Sequence, residues 1–572
     1  FVFGGQTLLF LFLLPSIAWP LMGMLRLGNE GNGRSWSTSA LIIGLVMAGL
    51  LSLVDVDELT TILLQSTNEL FAQLIQATML TIVIGRVLGF ILWLARNKLP
   101  QLSLGWPIKA AAALVWTAVL ALLILKPNAG FHGDHLFVIL SDQADVSAAA
   151  DIADIDQRRQ FVYDTLTAHA HQSQAPLRQA LDRFHIGYQP YYLVNAVEVE
   201  GGLLVRLWLS QFDGVDRVLH NPELRPLTPR STPPLELIPP SDPPDSTQWN
   251  LTLIGADRVW QEFGVRGAGI TLGESDYDVQ WDHPELLDSY RGQDGDHNYN
   301  WLDAWEGEPV PYDLNGHGTH TTATVVGNNV GVAPDAEWFA CANLVRNLGD
   351  PGKYLACMQF MLAPTPLNGD PFTAGDTTLA ADVLNNSWGC PTLEGCDPTT
   401  LETAVTHLRA AGIFVVASGG NEGAGGCNTV ADPIALYDAS FTVGAHDASG
   451  RVAGFSSRGT VTADGSNRTK PDILAPGVSV LSAIPNDQNA HFDGTSMAGP
   501  HVAGVVALIW SANPSLIGDI DATERILVET AVPYDYTANG TPECGDPHTT
   551  PDNAVGYGLV NAYAAVKMAL AK

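Results

Sequence analysis

Basic side chains are scarce in this chain of 572 residues, which holds 28 lysines and arginines against 60 aspartates and glutamates. The formal net charge is −32, and because the first 126 residues carry +2, the remainder carries −34. Nucleic-acid backbones are bound by clustered cationic side chains, which so acidic a surface does not offer. The charge balance therefore argues against nucleic acid as a partner, although it does not identify a substrate.

Charge is also missing from long stretches near the start of the chain. Residues 1–25, 35–54 and 110–125 contain no charged side chain, and residues 70–95 contain only Arg86. About 20 apolar residues cross the ~30 Å hydrocarbon core of a bilayer as a helix. The shortest stretch, 110–125, is flanked by Lys109 and Lys126, whose long side chains can extend to the membrane surface. We therefore predict an all-α transmembrane bundle of four helices over residues 1–126, with the role of Arg86 left open.

The loops between these stretches predict the orientation of the bundle. Lysine and arginine occur in the first and third loops, whereas the second loop, residues 55–69, has four acids and no base. Basic loops face the cytoplasm, so the chain after Lys126 is expected outside it. The predicted localisation is a multi-pass protein of the cell membrane. Because the sequence begins with Phe1 and not with methionine, we also expect residues upstream.

Cysteine is absent from the first 340 residues. The six cysteines are Cys341, Cys357, Cys390, Cys396, Cys427 and Cys544. An even set in a part expected outside the cytoplasm suggests disulfides, for which 15 connectivities exist. Short separation favours pairing Cys341 with Cys357 and Cys390 with Cys396. Zinc ligation is the alternative, but no Cys-x-x-Cys spacing supports it.

Residues 127–224 alternate between strand-like and helical patterns, which predicts a small α+β domain. The predicted strands are 136–140, 191–199 and 215–219, and the predicted helices are 156–184 and 203–212. Residues 225–248 follow as a linker, and nine prolines lie between positions 221 and 245. Such a stretch forms no core and is easily cut, so we expect a processing site in it.

Three segments far apart in the chain contain the residue types of one hydrolytic site. They are 275–279 (Ser-Asp-Tyr-Asp-Val), 315–320 (Asn-Gly-His-Gly-Thr-His) and 493–500 (Asp-Gly-Thr-Ser-Met-Ala-Gly-Pro). A hydroxyl becomes a nucleophile when an imidazole takes its proton, and a carboxylate fixes the tautomer of that imidazole. These roles predict Asp276, His317 and Ser496 as catalytic residues.

A fourth segment, residues 414–423, is an apolar strand followed by glycines and Asn421. The amide of Asn421 and the backbone N–H of Ser496, at the start of a predicted helix, could both donate to a tetrahedral oxyanion. One such donor is typically worth roughly 3–4 kcal/mol of barrier.

With these segments in this order, the chain from about residue 249 to 572 resembles the subtilases, the subtilisin-like serine endopeptidases. Further matches are Val-Ala-Pro at 332–334, Asn-Ser-Trp-Gly at 386–389, Phe-Ser-Ser-Arg-Gly at 455–459 and Lys-Pro-Asp-Ile-Leu-Ala-Pro-Gly at 470–477. The resemblance implies an α/β subtilisin-like catalytic domain over residues 249–572, with a parallel sheet flanked by helices.

The resemblance also implies a role for each matching residue. Asp276 would orient His317, which acts as general base and acid, and Ser496 would be the nucleophile. Asn421 would be the oxyanion donor. The residues implied to line the cleft for the substrate backbone and the residue before the cut are Ser387, Trp388, Gly389, Ser418, Gly419 and Gly420.

The aspartate arm departs from the family pattern. Glu274, Asp276 and Asp278 are all acidic, and the family normally has glycine where Asp278 stands. The family's aspartate lies seven residues before a histidine, and the position of His283 therefore selects Asp276. Asp278 is either a surface charge or a group that raises the local negative potential.

The resemblance extends upstream in pattern and position. Residues 127–224 resemble the propeptide-inhibitor domain of subtilases, which is ferredoxin-like and whose end the enzyme itself cuts; an unrelated adaptor domain is the alternative. The loop at 327–331 is shorter than the family's calcium loop, although Glu285 stands at the position of a ligand carboxylate. We expect no metal site there and no required cofactor, and leave weak calcium binding elsewhere open.

The expected function is that of a membrane-tethered, extracytoplasmic serine endopeptidase made as a zymogen. Its partners would be protein or peptide substrates, its own propeptide as an intramolecular inhibitor, and the lipid bilayer. A cut in the linker would release the enzyme. The alternatives are a catalytically impaired scaffold, supported by Asp278 alone, and a membrane transporter or sensor with an accessory protease. An intramembrane protease is unexpected because the three catalytic residues lie outside the apolar stretches.

Overall fold

A computed structural model describes residues 135–221, 246–344 and 348–572. These residues form two compact units, one made of 137–198 with the described residues from 246 onward, and one made of 135–136 with 199–221. The four apolar stretches and residues 222–245 of the linker lie outside the described residues. Among the described residues, none of the helices combines the length and apolarity that crossing a bilayer requires.

Residues 135–200 form two helices and three strands. They are β1 (His135–Leu140), α1 (Ile155–Ser173), α2 (Ala175–Phe184), β2 (Tyr188–Tyr191) and β3 (Ala196–Glu200). Strand β3 lies between β2 and β1 in their sheet. The single helix predicted over 156–184 is wrong: the chain breaks at Gln174, because Pro176 has no N–H with which to continue α1.

The single strand predicted over 191–199 is also wrong, because residues 192–195 form a turn between β2 and β3. The N–H groups of Tyr192 and Leu193 donate to the side-chain oxygen of Gln359, at 2.6 and 3.2 Å. That acceptor lies 167 residues along the chain from Tyr192. It satisfies backbone groups that a strand would have paired within its sheet.

The described part of the smaller unit contains one helix and one strand. They are α3 (Leu203–Leu209) and β4 (Val215–Asn221). The helix predicted over 203–212 is thus shorter at its end, and the strand predicted over 215–219 is longer.

A seven-stranded parallel sheet forms the centre of the remaining chain. Its strands are β5 (Thr271–Asp276), β6 (Trp301–Asp303), β7 (Glu337–Ala342), β8 (Val383–Asn386), β9 (Phe414–Ser418), β10 (Phe441–His446) and β11 (Ile473–Pro476). The order across the sheet is β11-β10-β9-β8-β5-β7-β6. After β5 the chain builds one side of the sheet with β6 and β7, and then returns to the other side with β8. Ligands of such sheets bind at the carboxyl ends of the strands where the order reverses, which here is beside β5.

Helices cover both faces of this sheet. In chain order they are α4 (Trp249–Ile254), α5 (Ala256–Phe263), α6 (His317–Val326), α7 (Pro351–Leu362), α8 (Glu402–Ala410), α9 (Thr495–Ala512), α10 (Ile520–Glu529), α11 (Tyr536–Asn539) and α12 (Ala562–Ala569). Residues 495–510 of α9 are all buried, and they pack with Leu272, Val383 and Val416 of the strands in one core. The opposite face contacts α7, where a Cβ on Gly273 would lie 2.4 Å from Met361 Sδ.

Two smaller features complete the described chain. A two-stranded antiparallel sheet consists of β12 (Val480–Ile484) and β13 (Gln488–Phe492). Short 3₁₀ helices occur at Ser147–Asp151, Leu287–Ser289, Thr377–Leu379, Thr392–Glu394, Gly423–Gly425 and Pro514–Leu516. The α/β fold with a parallel sheet is as the sequence predicted.

All six cysteines form disulfides. The pairs are Cys341–Cys357, Cys390–Cys396 and Cys427–Cys544, with sequence separations of 16, 6 and 117 residues. The first two are the pairs that short separation favoured. Zinc ligation is therefore excluded, because no thiolate is left free.

Candidate active site

The carboxylate and the imidazole meet at the carboxyl end of β5. Asp276 is the last residue of β5 and is fully buried, and His317 is the first residue of α6. Asp276 Oδ1 lies 2.7 Å from His317 Nδ1. Asp276 also accepts the backbone N–H of Tyr277 at 2.7 Å, and the hydroxyl oxygen of Thr321 lies 3.3 Å from its Oδ2. A carboxylate so held orients the imidazole and leaves its Nε2 for proton transfer.

Close backbone contact brings α6 to this position. A Cβ on Gly318 would lie 2.3 Å from the carbonyl oxygen of Asp278, so this helix can approach β5 only with glycine there. Asp313 organises the loop before α6, because its carboxylate accepts the N–H groups of Asn315, Gly316 and Thr319 at 2.8, 2.8 and 3.2 Å. The close approach of α6 to Asp278 therefore explains why a glycine, Gly318, follows His317.

The pKa of His317 is raised above its ordinary value by opposing effects. Burial lowers this pKa, since it disfavours the imidazolium, whereas the charge and hydrogen bond of Asp276 and the charge of Asp313 raise it. The imidazole remains 25% exposed toward the cleft. A raised pKa makes the imidazole a stronger base for taking a proton.

Ser496 lies in the first turn of α9. The helix follows Gly494, whose φ of +157° a side chain would strain. Pro500 cannot donate to the carbonyl oxygen of Ser496, four residues earlier. The hydroxyl of Ser387 donates to that oxygen instead, at 3.0 Å. The Ser496 hydroxyl donates in turn to the carbonyl oxygen of Ser387, at 3.1 Å.

Asn421 lines the same cleft as Ser496. Its side-chain oxygen accepts both the N–H and the hydroxyl of Thr495, at 2.9 and 3.0 Å. Because the oxygen is engaged, the amide nitrogen is the atom left to donate elsewhere. The first N–H groups of a helix also lack acceptors within it. The amide nitrogen and the first N–H groups of α9 are thus two candidate donors for an oxyanion.

One cleft of about 440 Å³ brings the predicted substrate-binding residues together with His317, Ser496 and Asn421. Those lining residues are Ser387, Trp388, Gly389, Ser418, Gly419 and Gly420. The Ser418 hydroxyl donates to the carbonyl oxygen of Thr495 at 2.9 Å, so this wall is tied to the start of α9. The cysteines are absent from the cleft lining.

Asp278 is buried, and its interpretation as a surface charge is wrong. Burial raises its pKa to about 9, together with the charges of Asp313, Asp303, Glu306 and Asp276. Asp278 is therefore neutral at pH 7 and does not raise the negative potential there either. The Asp276–His317 hydrogen bond is intact beside it, which removes the support for the impaired scaffold.

Sequence reasoning missed the groups that support the carboxylate. Glu274 is fully buried, and burial and the charge of Asp276 hold its pKa well above the ordinary range. Asn385 donates to both oxygens of Glu274, at 3.0 and 3.2 Å. The hydroxyl of Thr321 donates at 3.0 Å to Glu274 and lies 3.3 Å from Asp276. Thr321 lies four residues after His317 on α6, a spacing that could have indicated it.

The described residues do not fit a calcium ion beside α6. Both carboxylate oxygens of Glu285 are engaged, because they accept the backbone N–H and side-chain amide of Asn329 at 2.7 and 2.9 Å. Within the described chain, no three His, Cys, Asp or Glu side chains are grouped so as to hold a metal. The short loop at 327–331 therefore uses an internal hydrogen bond where a longer loop would supply oxygen ligands.

The sequence of the chain is similar to those of several known proteins. A sequence model of the subtilase family matches residues 267–558, which is more than half of the chain. Bacillopeptidase F of Bacillus subtilis (strain 168) is 36% identical over 72% of the chain and 29% of its own length. Subtilisin DY of Bacillus licheniformis is 35% identical over 47% of the chain and 86% of its own length. Subtilisin Savinase of Lederbergia lenta is 32% identical over 56% of the chain and 99% of its own length. The chain thus spans less than a third of Bacillopeptidase F.

Proposed function

The chain belongs to the subtilase family of serine endopeptidases, and from this premise we propose that it cleaves peptide bonds in protein substrates through an acyl-enzyme on Ser496. The observation that carries the proposal is the 2.7 Å contact between Asp276 and His317 at the mouth of the cleft that Ser496 and Asn421 line. A buried carboxylate, an imidazole and a hydroxyl so placed are suited to acyl transfer.

In the proposed reaction, Ser496 Oγ attacks the scissile carbonyl carbon while His317 Nε2 takes the hydroxyl proton. The imidazolium is stabilised by Asp276. The oxyanion receives hydrogen bonds from the Asn421 amide and the first turn of α9. His317 then returns the proton to the departing amine, and a water molecule, deprotonated by the same imidazole, hydrolyses the ester.

Replacing Ser496 with alanine tests this proposal. We expect turnover of a chromogenic peptide to fall by on the order of 10⁶-fold, because the nucleophile is removed. The matched control is Ser511→Ala, near the end of the same helix, which should keep full activity. Peptide hydrolysis by Ser496→Ala at a comparable rate would refute the assignment of the nucleophile.

Residues 137–198 serve, in this proposal, as part of an inhibitory propeptide, so the chain is made as a zymogen. Supporting contacts join this segment to the catalytic region. Arg159 pairs with Asp382 at 2.7 Å with both side chains largely buried. His407 Nδ1 lies 2.7 Å from the carbonyl oxygen of Leu193. A buried ion pair and a buried hydrogen bond between the two favour a propeptide docked on the catalytic region over an unrelated adaptor.

The zymogen proposal predicts that Ser496→Ala is not processed. We expect the wild type to separate into two fragments by cutting between residues 222 and 245, and Ser496→Ala to stay in one piece, as gel electrophoresis would show. Added as a separate polypeptide, residues 127–224 should inhibit the mature enzyme. Processing of Ser496→Ala in a host without other proteases would contradict self-cleavage.

The four apolar stretches support a membrane-tethered form whose catalytic part is extracytoplasmic. They precede the linker, so a cut there would leave them in the membrane and free the enzyme. Membrane and supernatant fractions, blotted for the C-terminus in the wild type and in Ser496→Ala, test this. Soluble enzyme only in the wild type supports release, whereas membrane-bound, full-length protein in both would indicate a permanent anchor.

A further inference from the structure

Four carboxyl groups line the cleft beside the nucleophile, and neither lysine nor arginine lines it in the part of the chain that the structure describes. One of them, Asp493, accepts the backbone N–H of Ser479 at 2.6 Å. The other three carboxyl groups belong to Glu394, Glu422 and Asp432. The same cleft contains Ser496 and Asn421, so its occupant is a part of the substrate. The three carboxyl groups therefore face a substrate side chain and have no cationic side chain of the lining beside them.

Asp432 lies beside Gly389, in the part of the cleft lining formed by residues 387–389. A Cβ on Gly389 would be 3.0 Å from Asp432 Cβ and 3.6 Å from its Oδ2. Ser387, two residues before Gly389, accepts the hydroxyl of Ser496 through its carbonyl oxygen. The carboxylate of Asp432 has no hydrogen-bond donor among the described residues, although the side chain is half-buried. It is thus available to a group that enters the cleft.

Glu422 lies against another glycine of the cleft lining, Gly420. Its Oε2 would be 2.6 Å from a Cβ on Gly420, and it accepts the hydroxyl of Ser457 at 3.0 Å. Asp432 and Glu422 therefore each adjoin a glycine that lines the cleft.

Glu394 is the most deeply buried of the three. It accepts the hydroxyl of Tyr354 at 2.6 Å, and the Tyr354 ring stacks on Trp388 of the cleft wall with centroids 4.0 Å apart. These contacts fix the side chain of Glu394. Its carboxyl group is therefore already in position when a cation enters the cleft.

The charges of the three groups oppose one another. Burial raises the pKa of Glu394 to about 8, with added repulsion from Asp350 and Asp432. Burial and the charge of Glu422 raise the pKa of Asp432 to about 6. Both pKa values are raised because burial disfavours a carboxylate that has no neighbouring cation. A cationic side chain in the cleft would lower both pKa values.

We propose that the cleft selects a lysine or arginine at the substrate residue immediately before the cut, with Asp432 and Glu422 as the specificity-determining residues and Glu394 as a third carboxyl group behind them. This inference rests on the proposed peptidase function and names the substrate class for that same site. An apolar side chain would leave the half-buried carboxyl group of Asp432 without a hydrogen-bond donor, so it is disfavoured.

The test is a set of peptides that differ only at the residue before the cut, with arginine, lysine, norleucine or glutamine there. We expect the wild-type enzyme to show a kcat/KM at least about tenfold higher for arginine and lysine than for norleucine. Asp432→Asn should lower the arginine-to-norleucine ratio by about tenfold, and the Asp432→Asn/Glu422→Gln double variant should lower it further. Asp438→Asn, an exposed carboxylate on the same segment, is the matched control and should leave the ratio unchanged.

The pH dependence of the ratio gives a second readout. The pKa of Asp432 predicts that the arginine-to-norleucine ratio falls as pH drops through about 6. Taking the ratio cancels the loss of activity caused by protonation of His317. In Asp432→Asn this decline should disappear, which a merely structural role of the residue would not produce.

Two failures are distinguishable. Wild-type preference for norleucine, or an unchanged ratio in Asp432→Asn, would overturn this inference while leaving the peptidase intact. Absence of hydrolysis with all four peptides, together with absence of Ser496 labelling by a fluorophosphonate, would overturn the proposed function and this inference with it. Labelling also confirms that each variant has a folded site.

Discussion

At the scale of single residues, neighbouring acids on one segment have different charge states. Glu274, Asp276 and Asp278 span five positions, and all three are buried. Asp276 is bound to His317, while burial and neighbouring carboxylates push the pKa values of Glu274 and Asp278 upward. Both shifts therefore favour the protonated form of the two carboxyl groups that flank Asp276. A second full negative charge beside Asp276 would cost more than protonation does.

This arrangement predicts a ranking of substitutions. Asp276→Asn should lower kcat by roughly 10⁴-fold, because an amide cannot hold His317 in the required tautomer. Asp278→Gly should cost far less, since Asp278 is neutral at pH 7 and makes no hydrogen bond to His317 in the described structure. Steady-state kinetics on one peptide, normalised to fluorophosphonate-labelled sites, measures both. The reverse ranking would transfer the orienting role to Asp278.

At the scale of elements, the disulfides differ in the length of chain that they close. Cys427–Cys544 joins residues 117 positions apart, whereas Cys390–Cys396 joins residues six positions apart. Cys427 follows Asn421 by six residues, so the longer link also ties the segment after Asn421 to the C-terminal part. Closing a longer loop restricts the unfolded chain more, and the longer link should therefore stabilise more.

Replacing each pair with alanines should reveal this difference. On the chain-entropy account, losing Cys427–Cys544 should reduce the free energy of unfolding by about 5 kcal/mol, and losing Cys390–Cys396 by about 2 kcal/mol. Urea unfolding in a Ser496→Ala background, where self-digestion is absent, gives both values. Equal losses would show that strain or local packing, and not loop length, governs these links.

At the scale of the whole molecule, two carboxyl groups interact where residues 137–198 contact the catalytic region. Glu198 of β3 and Asp350 before α7 are both buried, and the hydroxyl of Tyr191 donates to Glu198 at 2.8 Å. Burial and the charge of Glu198 raise the pKa of Asp350 to about 7, while Lys353 acts in the opposite direction. The folded state thus holds a proton that the unfolded chain would release above pH 4.

The contact of residues 137–198 with the catalytic region should therefore weaken as pH rises. A raised carboxyl pKa means that the stabilisation is complete below about pH 4 and is lost progressively up to about pH 7. In Ser496→Ala, cleavage of this segment by added trypsin should be faster at pH 8 than at pH 5, after correction for trypsin's own pH dependence. Glu198→Gln should flatten that difference, and Glu200→Gln, an exposed neighbour, should not. A pH-independent rate would contradict the prediction.

The two proposals together predict where the linker is cut. Between residues 221 and 245 the basic residues are Arg225, followed by Pro226, and Arg230, followed by Ser231. A bond before proline is a poor substrate for an enzyme that binds an extended backbone, because proline lacks an N–H and restricts the residue before it. We expect N-terminal sequencing of the mature enzyme to begin at Ser231, and Arg230→Gln to slow processing. A start elsewhere in both proteins would count against basic selectivity.

Much of the fold and of the candidate site was predictable from local sequence. The helix that begins beside Ser496 and the strand that ends at Ser418 follow from runs of apolar residues and from glycines whose spacing is local. The α/β class followed from the resemblance to the subtilases. The family follows from the order of its segments. Two boundaries were predicted wrongly for different reasons. The distant side chain of Gln359 accepts N–H groups where one strand was predicted. The break at Gln174 has a local cause, Pro176, which the apolar spacing along the predicted helix did not reflect.

The sequence by itself determined the residue types of the site and their order, because nucleophile, base and orienting carboxylate require particular side chains. Only the tertiary structure decided the charge state of Asp278, the support of Asp276 by Thr321, and the third disulfide. It also brought Glu394, Glu422 and Asp432 to one cleft. These features depend on burial and on distances between residues far apart in the chain. Such quantities have no local signature, since they exist only after β5, β8, β9 and α9 have packed together.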